Sequence, residues 1–195
     1  MPSATRSPLR AFVIKVFAWL PVAFLVWYFA APVLLWPAAI VVELVARAGF
    51  ADLVHGIEHA GATLTFATSL KPGTSSAHSG QITVDVDMLL YAFGLPLYVA
   101  LVLAAREPGW PLRLCVGYAA LVPSVAWGVL ADFLKNVAIT ADPLVASQAG
   151  FVAWQREMIA FAFQLGSLIL PTVVPAVTWV LTHRAFLERL KSARD

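Results

Sequence analysis

The chain has 195 residues, 61% of them hydrophobic and 12% charged, with a formal net charge of +2 and a mean hydropathy of +0.82. Soluble domains carry about 45–50% apolar and about 25% charged residues, so this composition excludes a water-soluble globule and makes the bilayer the expected solvent. The small net charge leaves no footprint for nucleic acid, and a single cysteine, Cys115, excludes an intramolecular disulfide.

Ala11 to Val42 is apolar apart from Lys15. That run is far longer than the roughly 7–15 residues of a signal-peptide core, so an uncleaved anchor is expected even though Ala46-Arg47-Ala48 resembles a cleavage triplet. A crossing helix needs about 20 apolar residues. Four stretches are read as spans, at about 11–36, 88–105, 112–131 and 158–182, the second of them short. One side of the membrane then receives Arg6, Arg10, Lys15, Arg106, Arg113 and the tail with Arg184, Arg189, Lys191 and Arg194. The other receives most of the acids, and the positive-inside rule places both termini in the cytoplasm. Trp36, Trp110, Trp127 and Trp154 fall near span ends, where amphipathic rings favour the headgroup layer.

Two segments, about 37–87 and 132–157, face the opposite compartment in this scheme. The first opens with WPAAIVVELVARAGFADLVHGIEHAG, which reads as an amphipathic helical stretch broken at Gly49. After it, Leu64, Phe66, Thr68 and Leu70 alternate with their neighbours, as do Ile82, Val84, Val86 and Met88. Two such period-two runs around the turn-forming KPGTSSAHSG predict a β-hairpin. A lone hairpin is marginal in water, so its apolar face should rest on the amphipathic helix or on the membrane. In the second segment Asp142-Pro143 is a helix-start signal, a carboxylate cap followed by a first-turn proline.

Three constellations could carry chemistry. His55, Glu58 and His59 spell H-x-x-E-H, which on a helix would place two imidazoles on one face for Zn²⁺ with a glutamate beside them. Gly56 inside the motif weakens that helix by up to about 1 kcal/mol, and no third ligand stands out. The preferred reading is an exposed polar face, with a small membrane-bound zinc hydrolase as the alternative. Cys115 near Arg113 suggests an activated thiol, but the topology puts it on the cytoplasmic side, and a buried inert cysteine is the simpler reading. The third group lies at the outer membrane boundary: Glu43 and Arg47, four apart on one helix; Asp132 and Lys135 after the third span; Trp154, Gln155, Arg156 and Glu157 opening the fourth; and Gln164 at i+7 from Glu157, with Phe161 on the same face. Ionisable groups near lipid are costly unless they face the bundle or water. They are read either as interfacial anchors snorkelling into headgroups or as a polar pocket or partner-docking surface. Prolines 21, 32, 37, 96, 123, 171 and 175 lie in or beside the spans. They can kink helices, and without inverted-repeat symmetry they are read as structural rather than as a transport pathway.

Residues 87–97 (DMLLYAFGLPL), AWGVLADFLKNVA, SQAGFVAWQREMIAFAFQLGSLILPTVVP and the opening WLPVAFLVWYFAAPVLLWP together resemble the small bacterial exosortase H-associated membrane proteins. The WQRE stretch and the LPT…P pattern carry most of the specificity. The resemblance implies an accessory role beside an exosortase, a multi-span cysteine transpeptidase acting on proteins with a C-terminal sorting tail, and it transfers no catalytic residue. The expectation is therefore an all-α membrane protein with four transmembrane helices and a small periplasmic helix/β-hairpin excursion, in the bacterial inner membrane. It needs no cofactor, and its partners are membrane lipid and an exosortase or its sorting-signal substrate.

Overall fold

The computed structural model describes residues 8–71 and 82–192. Most of the inter-strand loop KPGTSSAHSG, together with Arg6 and Arg194, lies outside the described residues. Helix α1 (Pro8–Leu34) is followed almost at once by α2 (Trp36–Gly49). Pro37 sits in the first turn of α2, where its missing N–H costs nothing, and its Ala38, Ala39, Val42 and Ala46 stripe is buried against α5 (Trp110–Lys135). Three helical runs among the described residues are long and apolar enough to cross a membrane: Leu9–Leu34, Trp110–Thr140 and Ala153–Thr182.

The second predicted span, 88–105, is not confirmed as a membrane-length helix. Leu89–Ala105 is apolar but shorter, and it divides at Phe93 into α3 (Leu89–Ala92) and α4 (Gly94–Ala105). Its Gly94, Leu95, Pro96, Tyr98, Ala100, Val102 and Ala104 are buried, and it packs on α1, α5 and α8 (Leu170–Thr182). A helix that is apolar all round is either a core helix or a membrane span. Hydropathy cannot distinguish the two, because both want the same side chains.

The outward excursion is a three-stranded antiparallel sheet, β1 (Val54–Ala60), β2 (Thr63–Thr68) and β3 (Thr83–Asp87), in the order β1-β2-β3. The predicted hairpin is present as β2 and β3, with Leu64 opposite Val86 and Phe66 opposite Val84. Its apolar face rests chiefly on the end of α5, where Phe66 stacks on Phe133 at 4.2 Å between centroids. The helical reading past Gly49 is corrected. The chain enters β1 instead and turns back through Gly61-Ala62, a two-residue loop whose Gly61 has φ +66°. Positive φ at such a turn favours glycine, and it matches the twist of the strands it joins.

Two π-helical turns, Asn136–Thr140 and Leu165–Ile169, follow α5 and α7 (Ala153–Gln164). The second lies just before Pro171, which has no N–H to donate. It also brings Gly166 so close to α5 that an added Cβ would stand 2.9 Å from the Gly128 Cα. Small residues permit such backbone approach in membranes, where apolar burial alone does not drive helices together. The described chain closes with the short α6 (Pro143–Gln148), which begins at Asp142 as predicted, the carboxylate accepting from the Leu144 N–H at 2.9 Å, and with the amphipathic α9 (Arg184–Ser192).

Candidate functional site

The structure divides the predicted boundary residues into satisfied and unsatisfied groups. Glu43 and Arg47 pair with each other on the surface of α2 at 2.5 Å. Asp132 is buried and is held by Lys135 Nζ at 2.9 Å and by the Asn136 amide at 3.3 Å. Lys135 in turn lies 4.1 Å from the centre of the Phe163 ring, a cation–π contact that ties α5 to α7. Asp132 and Lys135 thus serve the packing of the bundle. Gln155 is also internal, its Oε1 accepting from the Val152 N–H at 3.0 Å and so capping α7.

Trp154, Arg156, Glu157, Phe161 and Gln164 project from α7 as exposed residues. Arg156 and Glu157 line a groove of about 370 Å³ between α7, the Asn136–Thr140 turn and α6, whose other walls are Ala138, Ile139, Ala141, Pro143, Ala146 and Ala160. Arg156 spends only its Nε, on the Phe151 carbonyl at 3.1 Å. Its terminal nitrogens and the Glu157 carboxylate form no ion pair with the described residues. The side chain of Gln148 at the end of α6 accepts from the Lys71 N–H and donates to the Lys71 carbonyl, each at 3.0 Å, locking the sheet beside this groove.

His55, Glu58 and His59 lie on β1, not on a helix. On a strand they do not share one helical face, and an irregularity at His55 interrupts the alternation, so the helical geometry on which the zinc reading relied is absent. Among the described residues no group of three His, Cys, Asp or Glu side chains gathers to hold a metal ion. Cys115, expected to be buried, is exposed and stands on the wall of an apolar groove between α1, α4 and α5.

The most buried ionic group was not anticipated. Glu107, in the α4–α5 connection, is 4% exposed and is gripped by Arg113 of α5 and Arg189 of α9. Beside it the Tyr98 hydroxyl donates to the Arg113 carbonyl at 2.7 Å. His183, fully buried between α8 and α9, stacks on Trp179. Its Nδ1 lies 3.1 Å from the Trp179 carbonyl and 2.9 Å from the Thr182 hydroxyl. Burial holds the His183 pKa below the ordinary histidine range, although the bond to Trp179 opposes that shift. Phe12 of α1 packs on both Trp179 and Phe186, which places the start of α1, the α4–α5 connection and α9 at one end of the bundle. The sequence signal was available in Glu107, the one acid within a basic loop, but nothing local tells that two arginines converge on it.

The long apolar helices and the apolar core helix define an integral membrane protein. The chain belongs to the exosortase H-associated membrane protein family, whose model matches residues 6–186. No curated protein and no solved structure matches it.

Proposed function

We propose that this protein is a non-enzymatic accessory of an exosortase-type sorting system in the bacterial inner membrane. In this reading both termini are cytoplasmic and the sheet-bearing end faces outward. The family description supports the exosortase as neighbour, and the distribution of basic residues supports the orientation. The docking surface is the groove of Arg156 and Glu157. The observation that carries it is the contrast among the charges at this end: Glu43 with Arg47 and Asp132 with Lys135 satisfy one another, whereas Arg156 and Glu157 present free charged ends on the lips of a groove walled by alanines. Small walls admit a backbone closely, and a cation beside an anion selects a segment that carries the reverse pair.

Photocrosslinking from position 154 or 156 in native membranes tests this. Capture of the exosortase or of a sorting-tail substrate is expected, with loss of capture in Arg156→Glu. Capture of lipid alone from both positions would reject the docking surface.

A further inference from the structure

Gln164 is used neither by the fold nor by the groove of Arg156 and Glu157. Its side chain is exposed and forms no hydrogen bond with the described residues. On the same membrane-length run, the hydroxyls of Ser167, Thr172 and Thr182 each donate to a carbonyl of their own helix, at 2.8, 3.0 and 2.8 Å. Depth makes that contrast costly. Gln164 lies six residues below Met158, the predicted start of the span, and ten below Trp154, whose exposed ring suits the headgroup layer. At 1.5 Å per residue this is about 9–15 Å into a hydrocarbon core about 30 Å thick. An amide there finds no water to bond, and glutamine lacks the long stem by which lysine or arginine returns to the headgroups.

The surface below the amide admits another helix. Gln164, Leu168, Thr172 and Ala176 follow at a spacing of four, and all are exposed. Thr172 and Ala176 are small, and small residues four apart let membrane helices approach closely. The Thr172 hydroxyl is already spent on the Leu168 and Ile169 carbonyls, so it brings no unpaired donor to such a contact. The exposed face of α1 is bulky instead, with Phe17, Leu25, Tyr28, Phe29 and Val33. The amide also selects the occupant. It carries both donors and an acceptor, so its natural complement is another amide. Two copies inserted alike hold Gln164 at the same depth. A two-fold axis along the membrane normal then lets each Gln164 donate to the other's carbonyl oxygen, an isologous contact. One amide among apolar seam residues also fixes the register of paired helices. We infer that the α7–α8 face around Gln164 is a self-association surface, forming a parallel two-fold dimer closed by reciprocal Gln164 hydrogen bonds. The groove of Arg156 and Glu157 lies beside α6, and this inference does not depend on the exosortase reading.

The test uses the full chain, carrying donor or acceptor fluorophores at its C-terminus, in vesicles of phosphatidylethanolamine and phosphatidylglycerol. Energy transfer between chains should fall as lipid is added, which gives the dimer dissociation constant. Gln164→Met keeps the length of the side chain but neither donates nor accepts as an amide does. It should weaken the dimer about tenfold, the scale of two interhelical hydrogen bonds, whereas Gln164→Asn should retain most of the association. The melting temperature in dissociating detergent should be the same for Gln164→Met and wild type, because the amide has no internal partner to lose. In a Cys115→Ser background, which removes the single native cysteine, Leu168→Cys should link chain to chain through a short bismaleimide. Ala176→Cys serves if that variant does not fold, and Phe29→Cys on α1 should not link. Energy transfer absent at every dilution, a dimer indifferent to Gln164→Met, or linking at Phe29→Cys equal to that at Leu168→Cys would each overturn the proposal.

Discussion

The two ends of the bundle solve the problem of charge near lipid in opposite ways. At the end where α1 starts and α9 lies, Glu107 is enclosed and two guanidiniums converge on it, joining the α4–α5 connection to α9. At the sheet-bearing end, Arg156 and Glu157 stand beside each other on α7 with their charged tips turned to a groove. A buried carboxylate is tolerated only when paired, so the first arrangement builds structure. Charges left without internal partners add little to folding, so the second arrangement is available for recognition. Burial, more than the identity of the residues, separates the clamp from the proposed docking lip.

This contrast is sharpest in the response to neutralising one acid at each end. Glu107→Gln leaves Arg113 and Arg189 without their shared partner and should cost about 2–4 kcal/mol, the lower part of that range reflecting the exposure of Arg189. The readout is thermal unfolding in detergent, and hydrogen exchange over α9 should rise with it. No change in either would show that the clamp is idle. Next in size is Gly166→Leu. With only 2.9 Å between a Cβ there and Gly128, overpacking should cost about 1–3 kcal/mol, whereas Gly150→Ala, which meets no neighbour, should suffer only the strain of its φ of +71°.

A smaller effect comes from pH. Burial lowers the His183 pKa in the folded protein, so below the unfolded value of about 6.5 the unfolded state binds more protons and stability falls. The melting temperature should therefore decline as pH drops through that window towards the folded-state pKa, and His183→Gln should flatten this part of the profile. A wild-type profile identical to the variant's would remove His183 from the basic-end packing. The smallest change in stability is expected at the other end. Glu157→Gln should alter unfolding by no more than about 0.5 kcal/mol while reducing crosslinking to a partner. A large destabilisation would mean that Glu157 belongs to the fold and would erase the distinction between the ends.

Much of this was legible in the chain because it depends on local periodicity. The alternation of Leu64, Phe66 and Thr68 against Val84, Val86 and Met88 announced the β2–β3 pair. Asp142-Pro143 announced α6, and the apolar runs announced three membrane-length helices. Where alternatives shared the same local pattern, the reading was overturned or left open. His55, Glu58 and His59 suit a helix or an edge strand, and the turn at Gly61 with pairing to β2 selected the strand. Leu89 to Ala105 suits a membrane span or a core helix; the structure shows it shorter than the other apolar runs and packed among α1, α5 and α8, which leaves the span unconfirmed.

What the amino-acid sequence determined alone is the solvent of this protein and the sign of charge at each end, since both follow from summed side-chain transfer energies. The tertiary structure alone decided which charges are spent. Asp132 is consumed by Lys135 and Glu107 by two arginines far apart in the chain, whereas Arg156 and Glu157 on α7 line a groove without an ion pair to the described residues. An ion pair is set by distance in space and by the water removed around it, and neither quantity is written in the order of the residues.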